Sequence, residues 1–177
     1  MPNAIQMLKE DHRKVKELFE EFAQAEEEQM KEQIVENTVR ELEVHAALED
    51  ESFYPAAEEQ IGEKESIDEA REEHHVVKLL IGELKKMSPD DERYDAKYTV
   101  LAESVKHHIQ EEESELFPKL EGKIDAEELG AEMETRKEQL QRQPHKRSAK
   151  AKSRTRTRKS RQRSSTKKRK RASGGQR

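Results

Sequence analysis

The sequence predicts an all-α protein: an up-down antiparallel four-helix bundle with a short fifth C-terminal helix and a disordered tail. Two observations lead to this prediction. Apolar side chains in residues 1–143 recur every three or four positions, the spacing that places them on one face of a helix. One pattern of histidine and glutamate also occurs twice, 62 to 63 residues apart. The chain therefore contains two copies of one helical hairpin.

Composition limits the core and excludes several kinds of site. Charged residues make up 42% of the 177 and hydrophobic residues 31%, so the core must be narrow and built from amphipathic helices. The absence of cysteine excludes disulfides, thiolate ligands and a cysteine nucleophile, and fits a reducing compartment. No secretion signal and no apolar run of membrane-spanning length is present. We therefore expect a cytoplasmic protein.

Each predicted helix of the bundle has an apolar stripe in which histidine, or histidine and glutamate, occupies core positions. In chain order, these stripes are Ile5 to Phe22 with His12, Ile34 to Leu42 followed by His45 and Glu49, Ile67 to Leu84 with His74, and Tyr94 to Leu116 with His108 and Glu112. All six polar side chains are therefore expected to face the core.

Turn residues separate the helices. Ser88-Pro89-Asp90-Asp91 is typical of a helix start, with Ser as N-cap and Pro in the first turn. Pro55 and Pro118 are expected to kink or end their helices, and Gly62 lies in the link between the halves. We expect repeats at about 3–60 and 64–120, an extra helix over about 125–142 that caps the bundle, and one domain over 1–143.

The register of each hairpin can be tested by arithmetic. In an antiparallel hairpin, residues equally far from the turn lie at one height. The midpoint of His12 and His45 is 28.5, where the apolar stripe lapses, and the midpoint of His74 and His108 is 91, in the Ser-Pro-Asp-Asp turn. The two histidines of each hairpin are therefore expected to face one another.

These residue types indicate metal binding. His and Glu four apart on a helix share a face and can bind one ion or bridge two. Imidazole and carboxylate without sulfur suit iron, manganese or zinc. One buried histidine alone is more often a hydrogen-bonded core residue, but two glutamates are costly to bury without a cation. The sequence predicts a two-metal site whose ligands are His12, His45, Glu49, His74, His108 and Glu112.

Neighbouring residues leave alternatives open. His75 and His107 lie about 100° from the core stripe, which favours solvent exposure or a supporting role. His107 and Glu111 form a competing His-x-x-x-Glu pair, although the distance to the following Pro favours His108 and Glu112. Whether Glu73, His75, His107 or Glu111 supplements the site stays open.

This layout resembles the hemerythrin family, specifically its HHE cation-binding domain in two-repeat form, over residues 3 to about 120. The resemblance is based on Asp11-His12, His45 to Glu49 with Phe53-Tyr54-Pro55, Glu73-His74, and His108 to Glu112 with Leu116-Phe117-Pro118. It implies two carboxylate-bridged iron ions and an open position that can meet a small molecule such as dioxygen, peroxide or nitric oxide.

One position departs from the family pattern. Oxygen-carrying hemerythrins have a second histidine four residues after the one in the third helix, and this chain has Lys78 there. The difference disfavours reversible oxygen transport. The resemblance instead favours sensing or scavenging of oxygen, iron or oxidants in a stress response.

The C-terminal 34 residues differ from the rest of the chain. Residues 144–177 contain 16 of the 35 basic side chains and none of the 40 acidic ones, whereas residues 1–143 have a formal charge of −21. So few apolar side chains predict disorder. Such a segment neutralises phosphates without reading sequence, although the acidic body and an anionic membrane are alternative partners. The predicted DNA contacts are Lys146, Arg147, Arg154, Arg156, Arg158, Lys159, Lys167, Lys168, Arg169, Lys170 and Arg171.

Two functions fit these features. The favoured one is a non-haem di-iron protein that senses or scavenges oxygen, iron or oxidants and associates with DNA, and therefore with the nucleoid, through its basic tail. The alternative is a di-metal enzyme that acts on peroxide or oxygen, or that nicks DNA held by the tail. A binding protein is favoured over an enzyme.

Overall fold

A computed structural model of the chain describes residues 2–62 and 64–142, which form a bundle of antiparallel helices. The helices are α1 Ala4–Gln24, α2 Glu28–Leu48, α3 Tyr54–Ile61, α4 Lys64–Leu84, α5 Tyr94–Glu111, α6 Phe117–Leu120 and α7 Ala126–Arg142. The predicted all-α bundle is confirmed: α1 and α2 form the first hairpin, α4 and α5 form the second, and α7 is the additional C-terminal helix. None of the helices in the described ranges is long and apolar enough to cross a bilayer.

Local sequence sets several helix ends. Asn3 caps α1, because its side-chain oxygen accepts from the backbone N–H of Gln6 at 3.2 Å. Gly62 follows α3 with a φ of 65°, the left-handed conformation that glycine adopts readily. The helix start predicted at Ser88 is wrong, since α5 begins at Tyr94. The Asp91 carboxylate instead accepts from the N–H of Ser88 at 2.6 Å and stabilises a turn.

The two prolines do not end their helices. A wider π-helical turn, Glu49–Phe53, joins α2 to α3, and its counterpart Glu112–Leu116 joins α5 to α6. Pro55 and Pro118 then lie in the first turns of α3 and α6. A proline cannot donate to the carbonyl four residues earlier and its ring crowds that carbonyl, so a widened turn before it lets the helix continue. Both π turns begin at a glutamate of the predicted site.

The apolar core has two parts. One cluster lies towards the two hairpin turns and includes Phe19, Phe22 and Tyr98. The other includes Leu8, Leu48, Phe53 and Phe117, together with Met133 of α7. The buried histidines and glutamates belong to neither cluster.

Helix α7 packs against α1 and α2. Its Gly130 faces the backbone of Pro2 so closely that a Cβ atom there would lie 2.2 Å from the Pro2 carbonyl oxygen. Arg136 binds the Glu51 carboxylate through two nitrogens, at 2.7 and 3.1 Å. Helix α7 is therefore attached both to the N-terminus and to the π turn that follows α2.

Candidate metal centre

The six predicted ligands meet inside the bundle. Their residues are between 0% and 5% exposed, and each of the helices α1, α2, α4 and α5 presents its histidine inward. Glu49 and Glu112 stand at the first positions of the two π turns. We call these residues, His12, His45, Glu49, His74, His108 and Glu112, the inner site.

One half of the inner site is formed by the first hairpin with one residue from the second. The Nε2 atoms of His12 and His45 are 3.2 Å apart. Glu49 Oε1 lies 3.1 Å from His45 Nε2, and Glu112 Oε2 lies 3.2 Å from His12 Nε2. Four potential ligand atoms therefore surround one point.

The other half is centred on the second hairpin. The Nε2 atoms of His74 and His108 are also 3.2 Å apart, so the histidines of each hairpin face one another as the midpoints predict. Glu49 Oε2 lies 3.2 Å from His74 Nε2, and Glu112 Oε2 lies 3.5 Å from His108 Nε2. Glu49 thus offers one oxygen to each half and can bridge two cations.

The donor atoms fit metal ions better than they fit one another. Both oxygens of Glu49 and Oε2 of Glu112 are fully buried and have no hydrogen-bond partner, although imidazole nitrogens lie within 3.1 to 3.5 Å. Two donors bound about 2.1 Å from one cation lie roughly 3.0–3.4 Å apart. Orphaned buried carboxylate oxygens are costly, and a pair of divalent cations would satisfy them.

The Nδ1 atom of each inner histidine faces a carboxylate from a different helical segment. This carboxylate belongs to the same hairpin for His45 and His108, and to the other hairpin for His12 and His74. His12 Nδ1 donates to Glu113 at 2.9 Å, His74 Nδ1 to Asp50 at 3.1 Å and His108 Nδ1 to Glu73 at 2.7 Å. His45 Nδ1 lies farther from its carboxylate, 3.9 Å from Asp11. The three hydrogen bonds fix the rings of His12, His74 and His108 so that Nε2 points inward, an arrangement typical of metal-binding histidines. We call Asp11, Asp50, Glu73 and Glu113 the outer carboxylates.

Lysines hold three of the outer carboxylates from outside. Lys78 donates to Asp50 at 2.7 Å, and Lys16, its counterpart in the first hairpin, donates to Glu113 at 3.4 Å. Lys137 of α7 pairs with Asp11. Lys78, the residue that departs from the oxygen-carrier pattern, therefore supports an outer carboxylate and does not reach the inner site.

Burial and neighbouring charges shift the pKa values of several residues in the inner site. Burial lowers the pKa of His45, but the Glu49 carboxylate and other acids outweigh it and raise that pKa to about 10. His74 behaves likewise, and its bonds to Asp50 and Glu49 raise its pKa to about 9. Burial raises the pKa of Glu49, but the neighbouring His45 and His74 bring it well below its usual range. Without cations, protons on His45 and His74 balance the charge of the Glu49 carboxylate.

The two halves differ at one pair of repeated positions. Tyr54 donates its hydroxyl proton to Glu112 Oε1 at 2.8 Å and lies 3.5 Å from His74 Nε2. Burial raises the pKa of Tyr54 well above its usual value, and the negative charges of Glu49 and Glu112 raise it further. The corresponding residue of the second repeat is Phe117, whose ring stacks on His12 with centroids 5.8 Å apart. A neutral phenol therefore lines one half and an apolar ring the other.

A small cavity adjoins the inner histidines. It measures about 20 Å³, enough for a molecule the size of water. Apart from the four histidines, its walls are apolar: Val15, Leu42, Ala46, Val77, Val105 and Ile109. The site therefore has room for a small ligand and none for a bulky substrate.

The alternative ligands lie elsewhere. His75 is exposed on α4, and Glu73 binds His108 from outside the inner site. His107 and Glu111 are on the surface of α5. Of the predicted DNA contacts, all lie outside the described residues. The outer carboxylates have a sequence signal that the core stripes do not include, because each of the four directly adjoins a predicted ligand: Asp11-His12, Glu49-Asp50, Glu73-His74 and Glu112-Glu113.

Together, the bundle and its buried His and Glu cluster define a helical cation-binding protein. Residues 3–120 match the hemerythrin HHE cation binding domain, and the chain belongs to this family. A crystal structure of a hemerythrin HHE cation binding domain-containing protein from Mycobacterium kansasii has a TM-score of 0.67 and 26% identity, covering 79% of this chain and 88% of that one.

Two curated relatives are longer proteins. One, a DNA nickase from Nostoc sp., is 29% identical over 125 residues, which cover 71% of this chain and 35% of the relative. An uncharacterised hemerythrin-like protein of Schizosaccharomyces pombe is 30% identical over 120 residues, covering 67% of this chain and 59% of the relative. This chain therefore spans about a third of one relative and three fifths of the other.

Proposed function

We propose that the inner site binds two iron ions and that the protein senses or scavenges oxygen, iron or oxidants. The observation that supports this most is the set of three orphaned carboxylate oxygens among four inward-facing imidazole nitrogens. Nitrogen and oxygen donors without sulfur suit iron, and also zinc and manganese. A pair of iron ions supplies redox chemistry with dioxygen, peroxide or nitric oxide.

The protein's own residues would orient and protect such a centre. Asp50, Glu73 and Glu113 fix three of the imidazole rings. Lysines hold three of the four outer carboxylates, Asp11, Asp50 and Glu113, in place. Tyr54 keeps its proton and positions Glu112 through their hydrogen bond. The apolar walls of the adjacent cavity favour a small, weakly polar ligand over a charged one.

Metal analysis tests the proposal. Full-length protein purified under air should contain about two irons per chain and show the visible absorption of a coupled iron pair. His74→Ala should lose metal, whereas His75→Ala, which alters the exposed neighbour on the same helix, should retain it. Stoichiometric zinc, or no metal in the unaltered chain, would contradict the iron proposal.

We further propose that residues 144–177 associate with nucleic acid. The support is their charge, 16 basic and no acidic side chains beside a body of charge −21. Deleting residues 144–177 should abolish retention on a DNA column at low salt and leave the metal content unchanged. Unchanged retention would exclude the tail as the DNA contact.

A second candidate function is DNA nicking, favoured by the name of the Nostoc relative. The geometry of the inner site weighs against it, since its six residues are at most 5% exposed and the cavity is too small for a phosphodiester. The test is plasmid relaxation by metal-loaded protein. Nicking by the unaltered chain that is lost in Glu112→Ala would favour this candidate over the binding protein.

A further inference from the structure

A second group of metal-binding side chains lies on the outer surface of the second hairpin. His107 Nε2 is 3.2 Å from Glu111 Oε1 on the next turn of α5 and 3.7 Å from Glu73 Oε1 on α4. One donor atom from each residue lies within 4.8 Å of the other two. We call Glu73, His107 and Glu111 the surface triad. The side chains of His107 and Glu111 are 65% and 40% exposed, so a cation can reach them from solvent.

The internal repeat indicates that this group is a specific feature of one hairpin. The positions of the first hairpin that correspond to His107 and Glu111 are Val44 and Leu48. Both are buried, in the apolar cluster that also contains Met133 of α7. The same helical face is therefore covered by α7 in one hairpin and carries exposed metal-binding side chains in the other.

The charge around the outer carboxylates gives an independent indication. Asp11, Asp50 and Glu113 each pair with a lysine outside the inner site. Among the described residues, Glu73 has no lysine or arginine partner, and its outward oxygen faces His107. A cation between His107 and Glu111 would take the place that a lysine ammonium occupies at the other three carboxylates.

We propose that the surface triad is a third metal site, which binds one divalent transition cation such as Zn²⁺, Mn²⁺ or Fe²⁺. One imidazole and two carboxylates are suitable donors for these ions, and water can complete the coordination at an exposed position. Glu73 is both an outer carboxylate and a member of the surface triad, because its second oxygen accepts from His108 Nδ1 at 2.7 Å. The third site is therefore connected to the inner site through one carboxylate, and it does not depend on what the inner site does.

Zinc titration of the full-length, metal-loaded protein tests this site. Calorimetry should show one additional Zn²⁺ per chain, while elemental analysis before and after shows that the resident metal is retained. His107→Ala and Glu111→Gln should each weaken binding of this zinc by at least tenfold, because each removes one of three donors. The control is His75→Ala, which removes an exposed histidine outside the surface triad. This variant should bind zinc like the unaltered chain.

The outcomes are distinct. One zinc fewer in His107→Ala than in His75→Ala supports the third site even if other weak sites also take up zinc. No additional zinc in the unaltered chain overturns it. Equal zinc binding by His107→Ala and the unaltered chain, or an equal loss in His75→Ala, also overturns it.

Discussion

The metal-free protein should become less stable to unfolding as the pH rises from 7 to 9. In the metal-free protein, burial lowers the pKa of His45 and of His74, but nearby carboxylates outweigh it and raise these pKa values to about 10 and about 9. Unfolding returns both to roughly 6.5. The folded state therefore binds more protons, and the stabilisation that is complete below pH 6.5 is lost as the pH rises through 9 and 10.

The size of the effect follows from the number of protons. Each imidazole that stays protonated only in the folded state lowers the free energy of unfolding by about 1.4 kcal/mol per pH unit. Two such groups give a slope of up to about 2.8 kcal/mol per pH unit. For a domain of this size, 1 kcal/mol corresponds to roughly 3 °C in Tm. The Tm of the metal-free protein should therefore fall by roughly 4–8 °C per pH unit.

The metal-loaded protein should respond in the opposite direction. Imidazoles bind cations only when neutral, so a higher pH strengthens metal binding and the stabilisation it provides. Thermal unfolding followed by circular dichroism, with and without metal at pH 7, 8 and 9, measures both slopes. Metal-free His75→Ala is the control and should keep the slope of the unaltered chain. A Tm of the metal-free protein that is constant or rises over this range would refute the reasoning.

Other substitutions test single contacts. Glu49→Gln removes the carboxylate shared by both halves and should reduce metal content by at least one ion per chain, measured by elemental analysis; full content would contradict the bridging role. Asp50→Asn should weaken metal affinity by roughly 10- to 100-fold in chelator competition, because it perturbs His74; unchanged affinity would contradict this. Gly130→Ala should destabilise the fold by about 1–3 kcal/mol, since its Cβ would meet Pro2, whereas Gly82→Ala, with open space around it, should stabilise by about 0.5–1 kcal/mol in urea unfolding; similar effects would contradict the contact.

Helix periodicity was enough to predict the bundle and to bring six polar residues to its core. The spacing of His12 and His45 about the first turn fixes their relative height, because rise per residue is nearly constant in a helix. Helix ends have no such periodicity, because a single side-chain contact can move them. Ser88 has the chemistry of an N-cap, yet Asp91 bonds its backbone N–H and α5 starts six residues later.

The prolines illustrate a second limit. Pro55 and Pro118 suggest kinks or helix ends when only α-helical hydrogen bonding is considered. The π turns before them let the helices continue, and they also change which side chains share a face. Across the π turn Glu49–Phe53, Tyr54 follows Glu49 by five residues and still reaches the inner site, where it bonds Glu112. An irregular turn of this kind leaves no periodic signal in the sequence.

By itself, the sequence determined the helical repeat, the six inner residues and the exposure of His75 and His107, because all of these depend on local periodicity. The tertiary structure decided which acid supports which histidine. Asp11 and Glu73 face histidines of their own hairpins, whereas Asp50 and Glu113 face histidines of the other hairpin. It also decided that α7 covers one hairpin and leaves the surface triad open on the other. Contacts between helices distant in the chain depend on how the hairpins pack, and that packing has no one-dimensional period.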